Sequence, residues 1–270
     1  MLIIGEKINT VRKRVLRAYG RKDGEYIRQL AIRQARAGAD VIDVNAGMDI
    51  ALEPASMAWA VRIVQDAVDI PLCIDSSSPE TIRAGFDACR NKRNAWANSI
   101  SLEKARLDGI LPLVKEHGCP VIGLCMGPEG IPATADGRVE AAKRLADIVD
   151  GYGIPLDRLY LDALIEPICV GPGGGTICLQ TLRGIRSAFP QARTVICLSA
   201  VSFGLPERSL LNRVYLSLLM YEGIDAVILD PADRQLMMEL RAAEALLGRD
   251  EYCMKYIAAC RKGAVEERAE

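Results

Sequence analysis

Short apolar runs alternate with longer segments of helical period along the whole chain, which is the pattern of parallel strands joined by crossover helices. The helical segments carry apolar stripes, for example Ile27, Leu30, Ala31 and Ala35. Eight runs have the length and composition of strands: Leu2–Gly5, Val41–Asn45, Leu72–Asp75, Ala95–Ser99, Val121–Met126, Leu159–Leu164, Val195–Ser199 and Ala226–Asp230.

Eight strand–helix units predict a closed (β/α)8 TIM barrel of the α/β class. An open doubly wound sheet has the same alternation, but it usually carries a phosphate-binding turn after its first strand, and Gly5-Glu6-Lys7-Ile8-Asn9 is not such a turn. No linker or low-complexity segment divides the chain. We therefore expect a single domain over residues 1–270, which ends in a short helix from Tyr252 onward.

The helix starts show local signals. Pro54 and Pro79 fit the first turns of their helices, and Ser78 fits the N-cap before Pro79.

Composition excludes several classes of partner. The 34 Lys and Arg residues balance 35 Asp and Glu residues, so there is no broad positive field for nucleic acid or a membrane surface. The apolar start of the chain is too short for a signal peptide, and no apolar run approaches the roughly 20 residues of a membrane helix. Nine cysteines without a C-x-x-C pair indicate buried, reduced thiols. We expect a cytoplasmic protein.

Polar residues recur where the predicted strands end, which is where the active site of a (β/α)8 barrel is assembled. Carboxylates accept parallel hydrogen bonds and amides both donate and accept, so this set suits a neutral heterocycle with adjacent N–H donors, such as a pterin. Each residue can instead simply cap the following helix. The set comprises Glu6, Asn9, Asp43, Asn45, Asp75, Ser76, Ser77, Asn98, Ser99, Asp162, Ser199, Ser202 and Asp230.

Other candidate sites are weaker. The single histidine, His117, is expected at the end of a crossover helix and in a structural role, so no metal site is predicted. A zinc site of Cys73, Cys125 and Cys197 is a minor alternative. The glycine-rich segment 171–175 has neither Walker nor dinucleotide spacing and is expected to be a flexible loop at the mouth.

The strand ends resemble those of the pterin-binding methyltransferases, in particular methyltetrahydrofolate:corrinoid/iron-sulfur protein methyltransferase and the folate domain of cobalamin-dependent methionine synthase. The resemblance covers nearly the whole chain. It is carried by segments in the same order and spacing: Leu2-Ile3-Ile4-Gly5-Glu6-Lys7-Ile8-Asn9, Asp43-Val44-Asn45-Ala46-Gly47, Leu72-Cys73-Ile74-Asp75-Ser76, Asn98-Ser99, Tyr160-Leu161-Asp162, Leu198-Ser199-Ala200-Val201-Ser202-Phe203-Gly204 and Leu210-Leu211-Asn212-Arg213.

This resemblance implies a methyl transfer between N5 of tetrahydrofolate and a corrinoid carried by a partner protein. It also implies a homodimer and no metal bound by this chain. The substrate is tetrahydrofolate or 5-methyltetrahydrofolate. By the resemblance, Asp75, Asn98 and Asp162 hold the pterin, and Arg208 lies near the site or at a helix start on the surface. Ser199 and Ser202 are further candidate pterin contacts, and the candidates behind the site are Glu6, Asn9, Asp43 and Asn45.

One position departs from the family. Ala200 stands where the family usually has an asparagine that hydrogen-bonds N5. Removing a methyl group from N5 requires protonation or hydrogen bonding of N5, whereas methylating N5 uses it as a free nucleophile. Ala200 therefore favours transfer from methyl-cobalt to tetrahydrofolate, as in an anaerobic O-demethylase system, and it leaves the catalytic residue unknown.

The direction of methyl transfer stays open, and so do three rival functions. The methyl group can move in the opposite direction, and a folate-binding protein without catalysis would also tolerate Ala200. Dihydropteroate synthase shares the barrel plan, but the Asn-x-Thr-x-Asp-Ser-Phe opening is missing from this chain. A zinc-dependent substrate:corrinoid methyltransferase is the third rival.

Overall fold

The computed structural model describes residues 1–47, 49–171 and 173–266, in which eight strands close into a barrel in chain order. Every neighbouring pair is parallel, including the closing pair β1 and β8. The predicted (β/α)8 barrel is confirmed. The strands are β1 Leu2–Asn9, β2 Val41–Asn45, β3 Leu72–Asp75, β4 Trp96–Ile100, β5 Val121–Leu124, β6 Leu159–Asp162, β7 Arg193–Cys197 and β8 Ala226–Leu229.

Ten α-helices surround the strands in the described residues. The first was not expected from the sequence, and together with the second it makes up the first crossover. The helices are α1 Lys13–Arg21, α2 Gly24–Arg36, α3 Glu53–Ala67, α4 Pro79–Ala88, α5 Lys104–His117, α6 Ala135–Gly151, α7 Gly174–Ala188, α8 Arg208–Tyr221, α9 Arg234–Leu246 and α10 Met254–Glu266.

Two predicted boundaries at helices are corrected. The terminal helix begins at Met254 rather than Tyr252, because Tyr252 and Cys253 have positive φ angles that interrupt helical geometry. Residues 267–270 of the predicted polar end lie outside the described residues. Gly174 and Gly175 belong to α7 rather than to a loop at the mouth, and Pro172 of that predicted loop also lies outside the described residues.

The other differences between prediction and structure concern the bounds of the strands. The predictions for β2 and β3 are correct to the residue. β4 lies one residue later than predicted, β7 lies two residues earlier, and β5, β6 and β8 end one or two residues earlier. An aspartate turns the chain at two of these ends. Asp162 Oδ1 accepts from the backbone N of Leu164 at 2.8 Å, and Asp230 Oδ1 accepts from the backbone N of Ala232 at 3.0 Å.

The predicted helix starts are confirmed. Pro54 and Pro79 lie in the first turns of α3 and α4, and Ser78 caps α4 by accepting from the backbone N of Thr81 at 3.3 Å. None of the described helices is both long enough and apolar enough to cross a membrane.

Apolar side chains form two packed layers, because successive residues of a strand point to opposite faces of the sheet. One cluster fills the space between the sheet and the helices, and includes Ile42, Ile74, Ala97 and Leu161. The other fills the barrel, where the Trp96 and Tyr160 rings pack at a centroid distance of 4.3 Å. The interior cluster contains Ile4, Val41, Cys73, Trp96, Ile122, Val195, Ala226 and Ile228.

The first strand is longer than predicted because an irregularity interrupts its pairing with β2 between Gly5 and Ile8. Gln34 of α2 supports this segment, since its Oε1 accepts from the backbone N of Lys7 at 2.8 Å. A Cβ atom at position 5 would lie 2.6 Å from Gln34 Oε1, so a larger residue there would displace the Gln34 side chain from this bond. The irregularity places Glu6 and Lys7 at the mouth of the barrel.

Candidate active site at the mouth of the barrel

A cavity of about 710 Å³ opens at the carboxyl ends of the strands. This is the size of pocket that encloses a drug-sized ligand or cofactor. Most of the residues predicted from the sequence meet there. Those lining it are Glu6, Asn9, Asp43, Asp75, Asn98, Ser99, Asp162, Ser199, Arg208 and Asp230.

Strand alternation brings the polar residues of four separate strands together. Asp43, Asp75, Asn98 and Asp162 each follow by two positions a residue that faces the barrel interior, and side chains two apart lie on the same face. They therefore form a polar layer directly above the apolar interior. Each of the three aspartates and the asparagine can be placed from the sequence alone once the strands are assigned.

Asn45 and Asp75 are neighbours across β2 and β3, with Asn45 Nδ2 donating to Asp75 Oδ2 at 2.9 Å. Burial raises the pKa of Asp75 to about 6, and the bond from Asn45 opposes part of that rise. Asn45 is not among the residues that line the cavity. The Asn45 side chain orients the Asp75 carboxylate and favours its ionised form.

Asn98 and Asp43 form the second pair, in which Asn98 Nδ2 donates to Asp43 Oδ1 at 3.3 Å. Asp43 is 2% exposed. Burial raises the pKa of Asp43 well above its ordinary value, and the nearby charge of Asp75 adds to the rise. Two carboxyl groups in one low-dielectric layer favour a state in which they share a single negative charge.

Asp162 lies at the end of β6 and is 6% exposed. Burial raises the pKa of Asp162 to about 7, although the N–H of Leu164 and the charge of Arg138 both favour the ionised form. The carboxyl group can therefore change its protonation state near neutral pH. Such a group can serve as an acceptor when ionised and as a donor when protonated.

Arg138 holds the loop that follows Asp162, a role that no local sequence pattern indicates. The side chain is fully buried in α6, and its Nη1 donates to the backbone O of Leu164 at 2.5 Å while its Nη2 meets Glu166 Oε2 at 2.8 Å. Leu164 has a φ of 56°, a left-handed conformation that is strained for leucine. These bonds compensate for that strain beside the site.

The β7 side of the mouth is built around Ser199, whose Oγ donates to Glu6 Oε2 at 2.8 Å. Arg208 Nη2 donates to the backbone O of Ser199 at 2.7 Å, and Arg208 Nε donates to Ser202 Oγ at 3.1 Å. Ser202 is fully buried and does not line the cavity; its Oγ donates to Asn212 Oδ1 at 2.7 Å. Ser202 thus supports Arg208 from below rather than facing the cavity.

Ala200 ends the short 3-10 turn after β7 and is partly buried against the outer apolar cluster. It is not among the residues that line the cavity, whereas its neighbour Ser199 is. No side-chain donor extends from position 200 into the mouth.

Two of the strand-end residues that line the cavity, Asn9 and Asp230, also form local bonds. Asn9 Oδ1 accepts from the backbone N of Val11 at 3.0 Å, and Asp230 forms an ion pair with Lys7. Ser76 faces away from the mouth, since its Oγ donates to Glu53 Oε1 at 2.7 Å. Part of the predicted polar set therefore shapes turns and helix starts.

The alternative metal ligands do not converge in the described part of the chain. No group of three or more His, Cys, Asp or Glu side chains there is arranged to hold a metal ion. Cys73 packs in the barrel interior and Cys125 in the outer cluster. His117 stacks on Phe86 at the end of α5, at a centroid distance of 6.0 Å and on the side of the barrel away from the mouth.

Residues 6–230 match the family model of the pterin binding enzymes. The chain belongs to the pterin binding enzyme family. A methylcorrinoid:tetrahydrofolate methyltransferase of Eubacterium limosum is 36% identical over 267 residues, which cover 98% of each chain. The methionine synthase of Mycobacterium tuberculosis is 28% identical over 244 residues, covering 84% of this chain and 20% of that protein. The resemblance found at the strand ends is confirmed.

Solved structures of other pterin binding enzymes have the same fold. A dihydropteroate synthase of Xanthomonas albilineans with 4-aminobenzoic acid has a TM-score of 0.68 and 20% identity, with 90% of this chain and 92% of that chain covered. A Yersinia pestis dihydropteroate synthase with a pterine-sulfa conjugate has a TM-score of 0.67 and 17% identity, with 92% and 93% covered. At these identities the likeness shows the fold alone.

Proposed function

We propose that this pterin binding enzyme is a methyltransferase that binds tetrahydrofolate in the mouth of its barrel and exchanges a methyl group between N5 and a corrinoid on a separate protein. The observation that carries the proposal is the polar layer at the base of an open cavity, in which Asn98 and Asp162 are buried and Asp75 is half-buried. The full-length similarity to a methylcorrinoid:tetrahydrofolate methyltransferase supports it.

The polar layer fits the pterin ring chemically. A pterin presents adjacent N–H donors along its pyrimidine edge and at N8, and buried donors of this kind require acceptors. Asp75 and Asn98 come from neighbouring strands and supply a carboxylate beside an amide, and Asp162 lies across the barrel on β6. We assign the pyrimidine edge and the N8 side to these three residues, with Ser199 and Arg208 on the β7 side of the ring.

We propose that the methyl group moves from methyl-cobalt to tetrahydrofolate, as in the second step of an O-demethylase system. The N5 lone pair attacks the methyl carbon, the cobalt–carbon bond breaks with both electrons staying on cobalt as Co(I), and N5 loses its proton to solvent. This direction needs N5 to be a free nucleophile, so the missing side-chain donor at Ala200 is no obstacle. The Eubacterium limosum relative is named for the same direction, as a methylcorrinoid:tetrahydrofolate methyltransferase.

The rim of the mouth supports docking of a corrinoid protein. Val11 and Phe203 line the cavity and are 82% and 60% exposed. Ile50, Leu52 and Val170 are also exposed large apolar side chains, at 82%, 56% and 74%. Apolar exposure of this kind is typical of a surface that a partner covers.

We also propose that the protein is a homodimer in the cytoplasm. Leu210, Val214, Leu218 and Tyr221 form an exposed apolar stripe along α8, which a second copy would bury. Leu218→Glu should then shift the mass measured by light scattering from dimer to monomer. Nine free cysteines among the described residues fit a reducing compartment.

Calorimetry with tetrahydrofolate in the presence of a chelator tests the binding site. We expect tight binding without added metal, and a requirement for zinc would favour the zinc-dependent rival instead. Incubation with 4-aminobenzoic acid and a dihydropterin pyrophosphate should give no dihydropteroate. Condensation would identify the protein as a dihydropteroate synthase.

A further inference from the structure

A second cavity of about 350 Å³ lies beside the mouth, between β1, α1 and α2. Five of the residues that line it are cationic and none is acidic. The cationic residues are Lys7, Arg12, Lys13, Arg14 and Arg33, and we call this cavity the basic cleft.

The basic cleft surrounds the start of α1. Lys13, Arg14 and Val15 are the first three residues of that helix, and they all line the cleft. The N-cap residue Arg12 makes no side-chain capping bond, and the first turn holds no acidic residue. The free N–H groups of a helix start attract anions.

An unpaired buried donor marks the cleft as a binding site. Gln34 lines the cleft and is 1% exposed, and its Nε2 has no hydrogen-bond partner. Its other amide atom, Oε1, is already engaged by the backbone N of Lys7. A buried amide N–H without a partner destabilises the protein, so it favours a ligand with an acceptor atom.

Three cations of the cleft have no carboxylate partner among the residues that the structure describes: Lys13, Arg14 and Arg33. Lys7 and Arg12 are already paired, with Asp230 and with Glu6 respectively. These two paired cations line both the basic cleft and the mouth cavity. They form a shared wall, so a ligand can extend from one cavity into the other.

We propose that the basic cleft binds the γ-linked glutamate tail of a polyglutamylated tetrahydrofolate. This inference rests on the proposed function, since the tail enters the cleft only if the pterin ring occupies the mouth. Each added glutamate brings one carboxylate, which matches a cleft that presents only donors and positive charge. The pterin ring would occupy the polar layer, and the tail would cross the wall of Lys7 and Arg12 towards Arg14 and Arg33.

The test compares the affinities of tetrahydrofolate monoglutamate and tetrahydrofolate triglutamate by calorimetry at low ionic strength. For the wild-type protein we expect the triglutamate to bind about tenfold more tightly, which corresponds to about 1.4 kcal/mol. Salt at 0.5 M should reduce this preference, because exposed charges are screened. In the double variant Arg14→Gln/Arg33→Gln the preference should fall to about twofold or less, with the monoglutamate affinity unchanged within about twofold.

The matched control is Arg17→Gln/Arg36→Gln, which removes the same charge from exposed positions of the same two helices outside the cleft. This variant should keep the tenfold preference. Equal binding of the two folates to the wild-type protein, or an equal loss in both double variants, would overturn the proposal. So would a double cleft variant that keeps the preference and instead needs more corrinoid protein for turnover, since the cleft would then dock a protein. If even the monoglutamate fails to bind, the proposed function itself is wrong.

Discussion

Asn45 donates to Asp75 across 2.9 Å, and both atoms of its amide are engaged, because its Oδ1 accepts from Thr10 Oγ1 at 3.1 Å and from the backbone N of Gly47 at 3.1 Å. The orientation of the amide is thereby fixed, with its N–H directed at the carboxylate. A residue outside the cavity thus sets the charge of one that lines it.

Replacing Asn45 by Ala should weaken binding of tetrahydrofolate by about 0.5–1.5 kcal/mol at pH 7. Loss of the bond from Asn45 raises the pKa of Asp75 further, so the defect should be larger at pH 6.5 than at pH 8. Calorimetry at the three pH values measures it. Thr10→Ala serves as the control, because it removes one bond to Asn45 Oδ1 while the backbone N of Gly47 still holds the amide with its N–H directed at Asp75. Equal affinities for Asn45→Ala and wild type at every pH would separate Asn45 from ligand binding.

Asp162 should make pterin binding depend on pH. If the pterin N–H groups need an ionised acceptor, affinity must fall as pH drops below about 7, approaching tenfold per pH unit, and Asp75 should steepen the fall below about 6. Asp162→Ala should lose about 1.5–3 kcal/mol of binding at pH 8, the range for hydrogen bonds to a charged group. Asp162→Asn should bind with little pH dependence between 8 and 6.5. An unchanged affinity in Asp162→Ala would remove this residue from the site.

The raised pKa of Asp162 predicts that the ionised carboxylate, which favours pterin binding, destabilises the fold. A carboxyl group with a folded-state pKa of about 7 stabilises the fold below its unfolded pKa near 4, and this contribution is lost as pH rises through 7. Asp162→Asn keeps an acceptor for the N–H of Leu164 and removes the buried charge. It should therefore raise stability by about 1–3 kcal/mol at pH 8, or several degrees in melting temperature, by roughly half of that or less at pH 5, and by little below pH 4. A melting temperature of Asp162→Asn below that of the wild type at pH 8 would contradict the conclusion that the ionised Asp162 carboxylate destabilises the fold.

Ala200→Asn should restore a donor for N5 and so accelerate methyl transfer from methyltetrahydrofolate to Co(I). We expect about tenfold or more in single turnover, or roughly 1.4 kcal/mol, with pterin affinity within a few-fold of wild type. The control is Ala200→Leu, because leucine resembles asparagine in shape and has no donor. Stopped-flow absorbance of the corrinoid reports the rates. Ala200 packs partly buried against the outer apolar cluster, so the side-chain amide introduced by Ala200→Asn must turn away from that cluster to enter the mouth. No change in either direction would mean that position 200 does not govern N5 chemistry and does not support the proposed direction.

The sequence predicted the barrel and the meeting of Asp75, Asn98 and Asp162, because both follow from local rules. Two-residue alternation assigns each side chain to the interior, and the closure of parallel strands gathers their carboxyl ends. The terminal helix was placed two residues too early because nothing local marks the left-handed Tyr252 and Cys253.

Residues that act through distant contacts were not predictable in this way. Arg138 is an arginine on an amphipathic helix, and its burial under the loop after Asp162 depends on contacts 26 and 28 residues away. The basic cleft brings together Lys7 of β1 and Gln34 of α2, whose hydrogen bond spans 27 residues of sequence. Ser202 was expected at the pterin because it lies near a strand end, but the turn after β7 directs it to Asn212.

A single turnover of methylcob(III)alamin with tetrahydrofolate, followed by stopped-flow absorbance and by analysis of the folate product, distinguishes methyl transfer from folate binding alone. We expect conversion of methyl-cobalt to Co(I) together with an equal amount of 5-methyltetrahydrofolate, at a rate that rises with enzyme concentration and falls in Asp162→Ala. Repeating the reaction with a methylated corrinoid protein should give the same product at lower corrinoid concentration. Tight binding of tetrahydrofolate with no methyl transfer from either donor would contradict the account and identify the chain as a folate-binding protein without catalysis.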